Sequence, residues 1–242
     1  MQKLPVPRAL RKRRILARLK ATGGRPKRLV EGILNKRRLD RDYPFLKEYR
    51  YDQILGSTDL EEKYSRFVSN VSIPRSAISL QLSCLLLFLC YNLRPTSILD
   101  LGSGFSSYVL RCYRRDVDPD CIVCSVDDDP SWLQKTADFL AGENMSTEGL
   151  MPWTEFRDAE KGPFDFILHD IGHVVGRVAS FSTVVELLAE RGTIILDDMH
   201  KRHFREPIQG MLGRRSRSLR RYDISEYTMD GFGRYAWMVR RR

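Results

Sequence analysis

The chain has 242 residues, 42% of them hydrophobic and 30% charged, and a formal net charge of +10. That is long enough for one α/β domain with a modest extension and apolar enough for a folded core. Five cysteines, an odd number without framework spacing, exclude a disulfide-stapled fold, and the longest apolar run, Leu82–Leu93, falls short of the roughly 20 residues a membrane span needs.

The charge is unevenly spread. Residues 1–50 hold 17 Lys/Arg and 4 Asp/Glu (17 − 4 = +13), residues 51–204 hold 14 and 23 (−9), and residues 205–242 hold 10 and 4 (+6). Residues 1–50 therefore read as a basic N-terminal extension. Within it, Arg8–Lys20 sets Leu10, Ile15, Leu16 and Leu19 among seven basic residues before Thr22–Pro26 breaks the pattern. As a helix this segment is weakly amphipathic and suits an anionic surface, RNA or lipid headgroups; the alternative is a solvated arm. No apolar run follows it as a secretory signal requires. With free thiols as well, the expectation is a cytoplasmic protein with no transmembrane segment, peripheral membrane attachment being the alternative.

Residues 51–95 read as a helical cap and a lead-in helix. Leu60, Tyr64, Phe67, Val68 and Val71 recur at helical spacing within Asp59–Ser72, which predicts a helix over or beside a pocket. Ser76–Asn92 is a long apolar helix ended by Arg94-Pro95. From residue 96 to 242 strands and helices alternate. Strands are predicted at Ser97–Leu101, Cys121–Val126, weakly at Gly149–Phe156, at Phe164–Leu168 and at Thr193–Leu196. Helices are predicted near Ser106–Arg114, Ser131–Leu140, Val178–Glu190 and Glu206–Leu212. A final hairpin, Tyr222–Tyr227 and Tyr235–Val239, turns at Asp230–Gly233. This alternation specifies a doubly wound, mostly parallel sheet closed by an antiparallel hairpin. Cys121 and Cys124 have CxxC spacing, but three apart on a strand they face opposite sides, which suits structural thiols.

The organising stretch is Ile98-Leu99-Asp100-Leu101-Gly102-Ser103-Gly104-Phe105-Ser106-Ser107. An apolar strand ends in a Gly-x-Gly turn that opens a helix, where the chain can lie close against a ligand. A dinucleotide site calls for a third glycine, and Ser107 stands at that position. Asp-x-Gly-x-Gly instead resembles the first signature of the class I S-adenosylmethionine-dependent methyltransferases. The resemblance covers residues 76–242 and implies a Rossmann-like seven-stranded sheet. It also implies a cofactor loop of Asp100, Gly102, Ser103 and Gly104, and an acid after the second strand that accepts the ribose hydroxyls. Asp127 fills that role, 23 residues after Gly104, with Asp128 as the second choice.

At strand four the amino-methylating Asn/Asp-Pro-Pro-aromatic motif is missing. Phe164-Asp165-Phe166-Ile167-Leu168-His169-Asp170 resembles the catechol-type O-methyltransferases, in which the second acid holds a divalent cation. Gly192–Met199 resembles the same family's fifth strand, with Asp198 in the place of its metal-binding Asp. Met199 stands where an Asn would complete the site, and a thioether is a poor ligand for a hard cation. All four histidines, His169, His173, His200 and His203, follow strands four and five. Two readings stay open: His173 or His200 as a base assisted by Asp170, or Asp170, Asp198 and His200 holding a transition metal. The function expected is O-methylation of a small molecule or glycan. The alternatives are an RNA methyltransferase gripping its substrate through the basic arm and a non-catalytic module of the same fold.

Overall fold

The computed structural model describes residues 25–159, 161–172 and 174–242. Two compact units divide the chain, 1–47 and 48–242. In the first, α1 (Arg25–Asp42) is followed by a 3-10 turn, Pro44–Lys47. Pro26 stands in the first turn of α1, where a missing N–H costs no hydrogen bond. The basic segment Arg8–Lys20 lies outside the described residues.

The second unit opens with α2 (Tyr51–Ser57), α3 (Leu60–Asn70) and α4 (Leu80–Leu93). The start of α4 falls four residues later than the hydropathy predicts, because Ser79 caps it by accepting the Leu82 amide at 3.1 Å. Its apolar side chains are buried nearly all round, as such a helix demands. There follow β1 (Ser97–Leu101), α5 (Phe105–Asp116), β2 (Ile122–Asp127), α6 (Pro130–Gly142), β3 (Leu150–Pro152) and α7 (Trp153–Asp158). The chain continues through β4 (Phe164–His169), α8 (Val174–Glu186), β5 (Leu188–Leu196), α9 (Arg202–Arg214), β6 (Leu219–Asp223), α10 (Ser225–Thr228) and β7 (Trp237–Arg241). No described helix is long and apolar enough to cross a membrane.

The seven strands form one sheet in the order β3-β2-β1-β4-β5-β7-β6. The first five neighbours are parallel, and β7 runs antiparallel between β5 and β6. The expected α/β architecture with its closing antiparallel hairpin is present. Its boundaries differ in places. β3 is cut short because Trp153 begins a helix. The hairpin strands sit at 219–223 and 237–241, since the Asp223 carboxylate accepts the Ser225 amide at 3.0 Å and turns the chain into α10. The turn at 230–233 is held by Asp230, which accepts the Phe232 and Arg234 amides, each at 2.9 Å. All five cysteines are buried and unpaired.

The register places the site. Leu101 pairs with Val126 on one side and His169 on the other, and His169 pairs with Leu196. The residues one step beyond, Gly102, Asp127, Asp170 and Asp197, therefore emerge together at the carboxyl edge of the sheet, where α/β folds bind ligands.

Candidate active site

The loop after β1 is built to stay close to its neighbours. Gly102 adopts φ +104 and Gly104 φ +152, conformations closed to ordinary L residues. Ser103 donates both its amide (2.7 Å) and its hydroxyl (3.0 Å) to Asp127 Oδ2, and the Asp129 amide donates to Oδ1 (3.0 Å). The Trp132 indole clips the loop from the far side by donating to the Ser103 carbonyl at 2.6 Å. Below it, Ser107 accepts the Gly104 amide and donates to Asp100 Oδ2 at 2.6 Å. Asp100 is wholly buried, and burial raises its carboxyl to about 6. It does not line the cleft: it braces the loop from beneath, which corrects its reading as a cofactor contact. Asp128 is exposed beside Gly172, while Asp129 caps α6 by accepting the Ser131 and Trp132 amides.

This loop forms one wall of a cleft of about 1220 Å³. Phe67 of α3 lines it, as the helical spacing of that segment anticipates, and the far wall carries Asp170, Asp197, Asp198, His200 and Lys201. The rim is tied across 159 residues of sequence. Arg234 donates to the carbonyls of Arg75 (2.8 Å), Ala77 (2.7 Å) and Pro74 (2.9 Å), while its Nε donates to Asp230.

Among the described residues the histidines do not converge. His169 is buried in the core beside Phe181 and Phe204, its Nε2 3.0 Å from the Ser180 hydroxyl, and burial drives its imidazole down to about 3. It is a neutral structural residue. His203 is exposed outside the cleft wall, and His173 lies outside the described residues. His200 remains. Its Nδ1 stands 3.5 Å from Asp198 Oδ1; burial lowers its pKa, and the Asp198 charge offsets part of that. The acid beside this imidazole is Asp198, not Asp170 as the assisted-base reading had it.

Asp170 and Asp198 do come together, but a metal does not fit between them. The Arg177 guanidinium already bridges the pair, with Nη1 2.7 Å from Asp170 Oδ1 and 2.8 Å from Asp198 Oδ2. The first contact is one of charge, since no N–H is aligned on that oxygen; the second is a hydrogen bond. Lys201 adds a 2.6 Å contact to Asp198 Oδ2. Met199 is fully buried in the core and does not line the cleft. Among the described residues, no group of three or more His, Cys, Asp or Glu is arranged to hold a metal ion.

Asp198 sits in the left-handed region at φ +61, a strain that Asp tolerates better than most residues. Burial pushes its carboxyl up, but Lys201 and Arg177 outweigh that and hold it below the ordinary range. Asp197 is raised by burial first, then by the charges of Asp170 and Asp198. Sequence reasoning missed Asp197, Lys201 and Arg177 as site residues. Asp197 was visible as the acid directly after strand five. Arg177 was hidden by a helix boundary: α8 begins at Val174, four residues before the predicted Val178, and this puts Arg177 in its first turn.

No family model and no curated protein sequence matches the chain. Solved structures do. An O-methyltransferase from Bacillus cereus in complex with SAH superposes with a TM-score of 0.59 at 14% identity, over 76% of this chain and 90% of that one. Cofactor-bound Rv0187 from MTB gives 0.62 at 18%, over 77% and 90%. The O-methyltransferase TomG from Streptomyces achromogenes, in complex with SAM, gives 0.56 at 16%, over 78% and 88%. The chain has the class I methyltransferase fold. In this class I methyltransferase fold the cleft lies over the carboxyl ends of β1, β2, β4 and β5, and every wall residue named above follows one of those strands or packs over them.

Proposed function

We propose that the chain transfers the methyl group of S-adenosylmethionine to a hydroxyl oxygen of a small molecule or a sugar unit, with His200 taking the proton. The observation that carries the reading is one shared cleft. Gly102, Ser103, Gly104 and Asp127 line one side, and Asp198 and His200 line the other. The Bacillus cereus and Streptomyces achromogenes neighbours, O-methyltransferases in complex with SAH and SAM, support it.

The residues present fit the cofactor. The Asp127 carboxylate is fixed by three hydrogen bonds from its own chain and keeps acceptor capacity on Oδ1 for ribose hydroxyls. Gly104 lines the cleft without a side chain, between Phe67 and Trp132, leaving room along the loop for the methionine part. When bound, S-adenosylmethionine supplies an already activated methyl group. The chain's task is to align an oxygen and remove its proton.

His200 suits that task. Its lowered pKa leaves the imidazole neutral at pH 7 and able to accept a proton, and Asp198 stabilises the imidazolium that results. Replacing His200 by Ala should lower turnover by about 10²–10⁴, the usual worth of a general base, with cofactor binding near wild type. Oxygen is favoured over an exocyclic amine because His169-Asp170-Ile171-Gly172 stands where the amino-methylating motif belongs. Calorimetry of the full chain with S-adenosylmethionine tests the reading first. Mass spectrometry of hydroxylated small molecules and sugars incubated with both then looks for an added methyl group. Absence of cofactor binding would sink the proposal. Methyl transfer to RNA instead would favour the basic arm of residues 1–50 as a substrate grip.

A further inference from the structure

Three carboxylates, Asp170, Asp197 and Asp198, gather at the ends of β4 and β5, close enough that Asp198 shifts the ionisation of both others and Asp170 that of Asp197. Oxygen donors are the usual ligands of a hard divalent cation, but with Arg177 among them these three are not arranged to hold one. A cationic group already sits among them. Arg177 is nine-tenths buried, and its Nε donates to the carbonyls of Ile171 (3.2 Å) and Gly172 (3.3 Å), which fixes the plane of the guanidinium. Its Nη1 engages Asp170 and Asp198, and its face lies 5.9 Å from the Phe204 ring centroid. No described residue accepts a hydrogen bond from Nη2, although Arg177 lines the cleft. A second cation, Lys201, closes on Asp198 from the other side.

We infer that Arg177 is the resident cation of the acceptor site: its guanidinium, locked between Asp170 and Asp198, occupies the place a divalent metal would need and turns Nη2 towards the acceptor's oxygen. The inference deepens the methyltransferase reading and rests on it only for the word acceptor; the placement of the cation is independent. A guanidinium cannot lose its proton at physiological pH, so the positive charge is permanent; with Nε fixed on the Ile171 and Gly172 carbonyls, Nη1 is held within reach of both carboxylates in a geometry that Lys cannot copy. The acceptor this favours carries a hydroxyl, with its own or a neighbouring oxygen able to accept from Nη2. It needs no bridging metal.

The test is Mn²⁺ binding to the full chain, read from the loss of the free-ion signal in electron paramagnetic resonance. The wild-type chain should leave the signal of excess Mn²⁺ unchanged. Arg177→Ala should remove one equivalent of Mn²⁺ from solution, and Arg177→Ala combined with Asp198→Asn should lose that binding again. Stoichiometric binding by the wild type, abolished by Asp198→Asn alone, would overturn the inference, as would a folded Arg177→Ala that binds nothing. Should Arg177→Ala fail to fold, Arg177→Gln, which keeps the size and loses the charge, is read the same way. Calorimetry with S-adenosylmethionine on the same wild-type sample separates the two claims. Failure there, with the Mn²⁺ result as expected, strikes the methyltransferase reading and leaves the cation assignment standing.

Discussion

A Cβ on Gly102 would stand 2.7 Å from both the carbonyl carbon and the carbonyl oxygen of Asp170, so the first loop of the sheet rests directly on the backbone at the end of β4. The Asp170 amide in turn donates to the Leu101 carbonyl at 2.7 Å. The two walls of the cleft thus meet along one packed seam, and a shift on one side is felt on the other.

Gly102→Ala should therefore be costly. A non-glycine residue at φ +104 and a methyl against main-chain atoms together cost about 2 kcal/mol, which at this chain length lowers the unfolding midpoint by about 4–8 °C. Gly104→Ala meets only ordinary contacts, with Phe67 and Trp132 at 3.7 Å, but carries the backbone strain of φ +152 without the main-chain clash. It should cost less stability than Gly102→Ala and should also weaken ligand binding. Thermal unfolding and calorimetry on both variants check this. A Gly102→Ala chain as stable as wild type would show that the seam can open without cost.

Asp127→Ala should weaken S-adenosylmethionine binding by about tenfold or more, because losing hydrogen bonds to a charged acceptor costs roughly 1.5–3 kcal/mol. The loss has a second source, since Ser103 and Asp129 lose the acceptor that holds the loop in shape. Asp128→Ala tests the second candidate, which lines the same cleft but is exposed and outside that network, and should bind near wild type. Equal losses in the two variants would remove Asp127 from its assigned role.

The strands, their mostly parallel arrangement and the place of Asp127 at a strand end were legible because they rest on local signals: apolar runs, a Gly-x-Gly turn and an acid at a strand end. The far wall was less so. Whether a strand-end acid faces a ligand, a metal or an internal cation depends on what the next helix brings round, and here that is Arg177, one residue before the predicted helix start. His169 shows the converse. Its position after strand four suggests chemistry, yet pairing with Leu101 and Leu196 turns it into the core. Asp100 likewise belongs to the signature, but its strand position buries it beneath the loop. Period and spacing place a residue along the chain; register and helix boundaries decide which way it looks.

Residues 1–50, with their charge of +13, should hold the chain on anionic surfaces in a salt-dependent way. In α1, Val30, Ile33 and Leu34 are exposed at helical spacing, which favours lipid headgroups over RNA. Co-sedimentation with vesicles containing phosphatidylserine should exceed that with phosphatidylcholine alone and fall as salt is raised. Equal recovery with both vesicle types, together with tight RNA retention, would reverse the choice of partner.

The ionisation of His200 is measurable without a substrate. Burial disfavours the charged imidazole, and the nearby Asp198 carboxylate favours it; the first effect wins, so the midpoint lies below the ordinary value of 6.5. The sign follows directly. The unfolded chain binds the His200 proton more readily than the folded one, so this residue costs stability as pH falls below 6.5 and costs nothing above it. Asp198→Asn removes the favourable charge and should move the midpoint lower still, whereas Asp170→Asn, whose carboxylate is not paired with the imidazole, should move it little. Nuclear magnetic resonance of the His200 ring across pH 4–8, assigned with His200→Gln, measures all three chains. A wild-type midpoint above 6.5 would mean that the Asp198 charge outweighs burial, and it would reverse the sign of the pH dependence. A midpoint unmoved by Asp198→Asn would mean that the 3.5 Å approach of the two side chains carries no electrostatic weight.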